Sequence, residues 1–353
     1  MAKTLLTGGT GFIGSHVARA LRDRGDELRL LIRSPSSADH LGDLDFERVN
    51  GDITDRRAVR RAVDGVDRVF HVAGINSILR GRASGRILRT NVDGTRVICE
   101  EALEAGVERL VHCSSAVALG PAEPGGRADE SQQFPAAARG IPYVHSKHEA
   151  EGEALRVAAH GLDVVIVNPT FVLGPDAPAG TSMSVVERFL LREIPVYVDG
   201  GINVCDVRDV AAGHVLADEQ GRPGERYILG GRNFTLQRLF ADLSRVSGVP
   251  APPLKLPATV AQGATEVAER LGLPVPISAD EARSAALWWT YSPAKAKREL
   301  EYRARPHEET ITEAVGWQAD QLGSRVGGNP GVAGAALAAA ASAARLAGRL
   351  VPR

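Results

Sequence analysis

Tyr143 and Lys147 stand four residues apart, and between them they could move a proton. On a helix, positions i and i+4 share one face. An ammonium beside a phenol favours the phenolate, so the spacing predicts a Tyr143 hydroxyl that titrates nearer working pH than an ordinary phenol. A phenolate can take a proton from an alcohol as hydride leaves the carbon. Run backwards, the phenol protonates a carbonyl. Ser115, at the end of an apolar run over residues 109–114, can donate a hydrogen bond to the same oxygen. His145 falls two residues after Tyr143 and faces elsewhere.

Hydride needs a carrier, and residues 4–14 supply a place for one. They read Thr-Leu-Leu-Thr-Gly-Gly-Thr-Gly-Phe-Ile-Gly. Gly8 permits a tight turn, Gly11 lets backbone N–H groups approach a pyrophosphate, and Gly14 allows close packing of helix on strand. The helix N-terminus behind them is partly positive and suits an anion. A second apolar run ends Leu30-Leu31-Ile32-Arg33-Ser34 with no carboxylate to accept from a ribose 2′-hydroxyl. Arg33 is placed to pair with a 2′-phosphate, which points to NADP, with NAD as the alternative. Asp52 is expected to accept from the adenine amino group while Ile53 packs on the ring; the alternative is a helix cap, for which Asp55 is better placed. Ala73 and Gly74 are small enough for a cofactor to lie close to the backbone.

Such residues must hang on a framework. Short apolar runs at 3–7, 28–32, 46–50, 68–72, 109–114 and 164–167 read as strands. Helical patterns occupy 14–24, 55–62, 91–105 and 144–160. That alternation predicts right-handed βαβ units and a doubly wound, Rossmann-type parallel sheet. Several strands are apolar nearly throughout, as expected when both faces are covered. After Pro169 the pattern loosens. Helices are expected at 184–192, 208–219 and 236–247, and strands at 196–198 and 227–229. The expected organisation is a dinucleotide-binding core over residues 1–170, a smaller mixed, mainly substrate-binding part over 171–317 with some returning core elements, and an Ala-rich tail over 318–353.

Composition narrows the classes. Lys and Arg total 42 and Asp and Glu 43, a net charge of -1, so nothing global recommends a nucleic-acid partner. The three cysteines, Cys99, Cys113 and Cys205, have no zinc spacing and are too few for a disulfide scaffold. They suggest a reduced, cytoplasmic chain without a metal. No targeting segment is expected ahead of the glycine turn, and no run is long enough for a transmembrane helix. His71, His112 and Cys113 fall in expected buried strands and read as core. The arginine clusters at 56–61 and 80–89 read as solvated faces. Asp206 and Asp209 are expected to cap a helix or pair with Arg208.

The order of glycine triplet, Ser114-Ser115-Ala116, then Tyr143 with Lys147 resembles the extended short-chain dehydrogenase/reductase superfamily. The likeness spans about residues 3–317 and includes Asn91-Val92-Asp93-Gly94-Thr95 and Asn168-Pro169-Thr170-Phe171-Val172-Leu173-Gly174-Pro175. Tyr197-Val198-Asp199, residues 209–214, 225–231 and 292–300 resemble the dihydroflavonol-reductase-like branch, close to hopanoid-associated sugar epimerases. The resemblance implies Tyr143 as acid/base, Lys147 as its electrostatic partner and ribose ligand, and Ser115, five residues before Gly120, as carbonyl-orienting donor, with Ser114 as the fallback. It also implies cofactor contacts from Thr10, Phe12, Ile13, Asn91, Pro169 and Val172, and a homodimer.

Two departures bear on substrate. Sugar-nucleotide members carry an Asn where this chain has Phe171 and, by ungapped matching, an Arg where it has Ile202. Apolar side chains cannot ligate a diphosphate. The expected substrate is therefore a hydrophobic small-molecule ketone, aldehyde or alcohol, with Phe171 and Ile202 lining its pocket. A sugar or nucleotide-sugar epimerase or dehydratase using NAD is the alternative, and a non-catalytic cofactor-binding regulator is a third reading. In the tail, ten alanines in residues 331–350 give high helix propensity but little area to bury.

Overall fold

The computed structural model describes residues 2–328 except 35–37, 43, 77–83, 136–137, 139 and 271–278. The Ala-rich run lies outside the described residues. The first half follows the sequence pattern as β1 (Lys3–Thr7), α1 (Phe12–Arg24), β2 (Glu27–Ile32), β3 (Glu47–Asn50), α2 (Arg56–Val63), β4 (Arg68–His71), α3 (Ser84–Leu88), α4 (Gly94–Glu104), β5 (Arg109–Cys113), α5 (Pro142–Ala158) and β6 (Val164–Pro169). A π-turn over Arg89–Asp93 leads into α4, so that helix starts later than its periodicity suggested.

The second half contributes β7 (Phe171–Leu173), α6 (Ser184–Leu190), β8 (Val196–Val198), β9 (Gly201–Asp206), α7 (Val207–Gln220), β10 (Arg226–Leu229), β11 (Arg232–Thr235), α8 (Leu236–Ser247), β12 (Leu254–Leu256), α9 (Ala258–Arg270), α10 (Ala279–Ala285), β13 (Trp288–Trp289), α11 (Ala294–Glu299) and α12 (His307–Leu322). The short strands β7, β9, β11, β12 and β13 were not legible as strands.

Seven parallel strands form the main sheet in the order β10-β6-β5-β4-β1-β2-β3. Alternate residues of each strand serve opposite faces. Leu6, Leu30, Phe70, Val111 and Val165 meet α1 and α7 through Val17, Leu21, Val210 and Ala217. Leu5, Leu31, Val69, Leu110 and Val164 meet α2, α4 and α5 through Val59, Ile98, Ala102, Ala154 and Val157. Strands walled on both sides must be apolar throughout, which is what the sequence displays. The strand order reverses between β1 and β4; in doubly wound sheets the crevice that takes the ligand lies at such a point, outside the carboxyl ends of the strands.

β10 and α7 return from the second half to extend the main sheet and cover its face. β7, β9, β11 and β13 make a separate small sheet, and β8 pairs with β12. Buried Asn203 ties the small sheet together. It bonds the Thr170 hydroxyl at 2.8 Å, the Asn233 side chain at 2.7 Å and the Gly231 N–H at 2.9 Å. The last helix runs five residues past Trp317, where the composition had marked the end of the packed part. Gln318 and Leu322 are buried, and the Gly327 N–H donates to the Leu190 carbonyl. Among the described residues, no helix is long and apolar enough to cross a membrane.

Candidate active site

The turn after β1 is built by three glycines in contact. Gly8 has a φ of 75°, in the left-handed region that glycine tolerates, and a Cβ there would lie 2.5 Å from the Ala73 nitrogen. A Cβ on Gly14 would lie 2.0 Å from the Gly8 carbonyl oxygen. Gly11 caps α1 with backbone alone, and no acidic residue stands in the first turn. The first N–H groups of α1 therefore face the crevice without a side-chain acceptor, as an anion site requires. Thr10 and Ile13 are half-buried there, and Phe12 is buried.

At the end of β2, Arg33 is exposed, with its guanidinium 4.0 Å from Asp52. Asp52 bonds the Thr54 N–H and hydroxyl through one oxygen, while Asp55 caps α2. Ile53 is a core residue whose side chain sits against Gly94. Thus Arg33 and Asp52 meet at the crevice, and Ile53 is largely taken up by packing.

The catalytic candidates converge from two elements. Pro142 occupies the first turn of α5, where its fixed φ and missing N–H suit a helix start. Tyr143 and Lys147 then lie on one buried face of α5. Ser115, half-buried, follows β5 and stands close enough to the Tyr143 phenol to influence its titration. The expected lowering of the phenol is not what the site displays. Burial pushes Tyr143 up to about 12, and the neighbouring Ser115 hydroxyl only partly opposes it. Lys147 does not relieve this. Its ammonium donates to the Cys113 carbonyl at 3.0 Å, and burial lowers its own pKa. The shared helix face was right, but desolvation outweighs it and the ammonium has a backbone partner.

Asn91 is 2% exposed, and its amide braces the site. It accepts from the Ile75 N–H at 2.8 Å, donates to the Ile75 carbonyl at 3.1 Å and to the Ser146 hydroxyl at 2.9 Å. Behind Gly74, Thr7 bonds His71 at 2.8 Å, and the other ring nitrogen of His71 meets Thr95 at 3.0 Å. His71, stacked on His112, is held neutral by burial, down to about 3. Pro169 and Val172 are buried where β6 passes into β7. Phe171 and Ile202 are half-buried in the small sheet; by register, both stand on one face of it.

Several neighbours were missed. Glu151, one turn past Lys147, is 2% exposed, accepts from the Asn168 amide at 2.5 Å and pairs with Arg226 at 3.2 Å. Its spacing from Tyr143 and Lys147 could have flagged it. Tyr291 lies buried near Tyr143 and donates to the Gly120 carbonyl at 3.1 Å. Trp289, Leu287, Phe134 and Val117 pack beside Val144 and Ile141, an apolar wall next to Tyr143. No local signal marked them, because β13 is two residues long.

Among the other charged groups, Arg56 and Arg60 do more than face solvent. Both pair with Glu101, which is 1% exposed, because a buried carboxylate needs cations. Asp206 caps α7 and pairs with Arg208, whereas Asp209 pairs with Arg305 instead.

Comparison with known proteins agrees with this fold. The model of the NAD-dependent epimerase/dehydratase family matches residues 4–230, from β1 through the end of β10. The chain belongs to that family. Relatives include a protein from Synechocystis named for dihydroflavonol 4-reductase, 40% identical over 88% of this chain and 93% of that one. Sterol demethylase protein B of Methylococcus capsulatus is 36% identical over 74% of this chain and 79% of its own. A ketoreductase of Stigmatella aurantiaca, named for a farnesylated dihydroquinoline oxide, is 30% identical over 86% and 92%. The crystal structure of gox2253 superposes with a TM-score of 0.80 at 36% identity, over 92% of this chain and 99% of that one. With these relatives, the epimerase/dehydratase fold carries an enzyme of the extended short-chain dehydrogenase/reductase type, dependent on a nicotinamide dinucleotide.

Proposed function

We propose that the protein is an NADP(H)-dependent reductase of a ketone or aldehyde in a hydrophobic small molecule. The observation that carries this reading is the convergence of Tyr143 and Lys147 on one buried face of α5, with Ser115 beside the phenol and apolar side chains around it. The cofactor would lie along the crevice, its pyrophosphate on the α1 N-terminus and its 2′-phosphate at Arg33. It supplies the hydride. Tyr143 delivers the proton to the carbonyl oxygen, Ser115 holds that oxygen, and Lys147 holds positive charge beside them. A phenol kept protonated by burial is in the form needed to reduce a carbonyl.

Phe171, Ile202, Trp289 and Leu287 favour an apolar substrate over a diphosphate. The relatives' names, for a flavonoid, a sterol and a farnesylated quinoline, lie in the same direction. The family name keeps sugar or nucleotide-sugar epimerisation or dehydration with NAD as the second reading. Three buried free cysteines fit a cytoplasmic setting, and a homodimer is the assembly we expect. The decisive experiment screens polycyclic and isoprenoid ketones against nucleotide sugars, following oxidation of NADPH and NADH side by side. Turnover of nucleotide sugars alone would sink the reductase reading.

A further inference from the structure

Glu151 lies on the same face of α5 as Tyr143 and Lys147, one turn beyond the lysine. A carboxylate that is 2% exposed is costly to bury, and here it is fully engaged. One oxygen accepts from Asn168, whose amide also donates to the Ser115 carbonyl at 3.0 Å; the other pairs with Arg226 from β10. The carboxylate is thereby fixed between the last two strands of the sheet and the catalytic helix.

Besides Glu151 and the Arg226 paired with it, the described groups around Lys147 are neutral. They are the Cys113 thiol and His112 on β5, His71 on β4, Asn91 ahead of α4, and Tyr143 on α5. Burial holds Cys113 up to about 11 and His71 down to about 3, so neither carries charge at neutral pH. Glu151 supplies the negative charge in this set.

We propose that Glu151 is a positioning residue that keeps the Lys147 ammonium charged inside the buried site. The inference rests on the acid/base reading above but does not need turnover to be tested. The chain has five lysines, so Lys147 can be followed directly by 13C NMR at Cε in the cofactor-free protein, assigned by the resonance lost in Lys147→Arg. Removing a nearby negative charge disfavours the ammonium. Glu151→Gln should therefore lower the Lys147 titration midpoint by about one pH unit, and Glu151→Asp should restore most of it. In turnover, the alkaline limb of kcat should move to lower pH while KM stays put. Should Glu151→Gln fail to fold because Arg226 is orphaned, Arg226→Gln keeps the carboxylate, removes its compensating cation and should raise the Lys147 midpoint; an unmoved midpoint in that variant would equally overturn the proposal. A folded variant with lower Tm and an unmoved Lys147 midpoint would reduce Glu151 to a structural ion pair and overturn the proposal. Full activity in Tyr143→Phe would instead overturn the catalytic reading and leave the Lys147 titration result standing.

Discussion

The Lys147 ammonium donates to the backbone carbonyl of Cys113 at 3.0 Å, not to the Tyr143 phenol on the same helix face. This contact ties α5 to the end of β5, beside the segment that carries Gly74. A Cβ on Gly74 would lie 3.3 Å from the Asn91 amide oxygen and 3.4 Å from the ammonium, so a side chain there would be in contact with both. The lysine is thus tied to β5, while the Tyr143 phenol has Ser115 beside it.

Tyr143→Phe should abolish proton delivery while sparing cofactor binding. Loss of a general acid is typically worth about 100- to 10,000-fold in kcat. Steady-state rates with each accepted substrate, together with NADPH fluorescence titration, check both halves. Near-full activity would remove Tyr143 from the mechanism.

Arg33→Ala should weaken NADPH more than NADH, because only NADPH carries the 2′-phosphate. The difference expected of a charge-assisted contact is about 1.5–3 kcal/mol. Calorimetric titration of both cofactors measures it, and equal losses would leave Arg33 as a surface partner of Asp52.

Gly14→Ala should damage the turn itself. The added methyl would meet the Gly8 carbonyl oxygen at 2.0 Å, and relief requires moving α1 away from β1. A stability loss of about 1–3 kcal/mol is expected, with loss of cofactor binding. Unchanged Tm and binding would show that the turn is more forgiving than its packing.

Stability should fall in acid. Burial holds His71 at about 3, His214 at about 4 and His112 well below its usual value. Each folded pKa is depressed, so the unfolded chain binds more protons; the stability is present above the unfolded pKa near 6.5 and is lost as pH falls toward the folded values. Each histidine contributes a slope of up to about 1.4 kcal/mol per pH unit in that window. Among the described residues, neither ring nitrogen of His112 has a hydrogen-bond partner, so His112→Leu should flatten the Tm–pH curve. A curve of unchanged slope would assign acid lability to other groups.

Truncation after Gln318 should cost more than truncation after Gly328. The shorter chain loses buried Leu322, worth about 1.5–3 kcal/mol, and the Gly327–Leu190 hydrogen bond. Thermal melting of both proteins checks the order, and equal melting temperatures would deny the last turns of α12 a part in the fold.

The sequence alone determined the framework and the chemistry of contact. Strands covered on both faces must be apolar throughout, and a turn that packs strand on helix must be glycine; both rules act over a few residues, so Lys3–Thr7 and Gly8, Gly11 and Gly14 were legible. The i, i+4 relation of Tyr143 and Lys147 is equally local. The tertiary structure alone decided which partner each charge takes. Lys147 turns to Cys113, Glu151 is clamped by Asn168 and Arg226 from two other strands, and desolvation reverses the expected direction for Tyr143. It also decided the small sheet, whose two- to six-residue strands carry too little periodicity to announce themselves and are held by pairings between distant segments. Burial and long-range pairing are properties of the packed chain, and no window of sequence contains them.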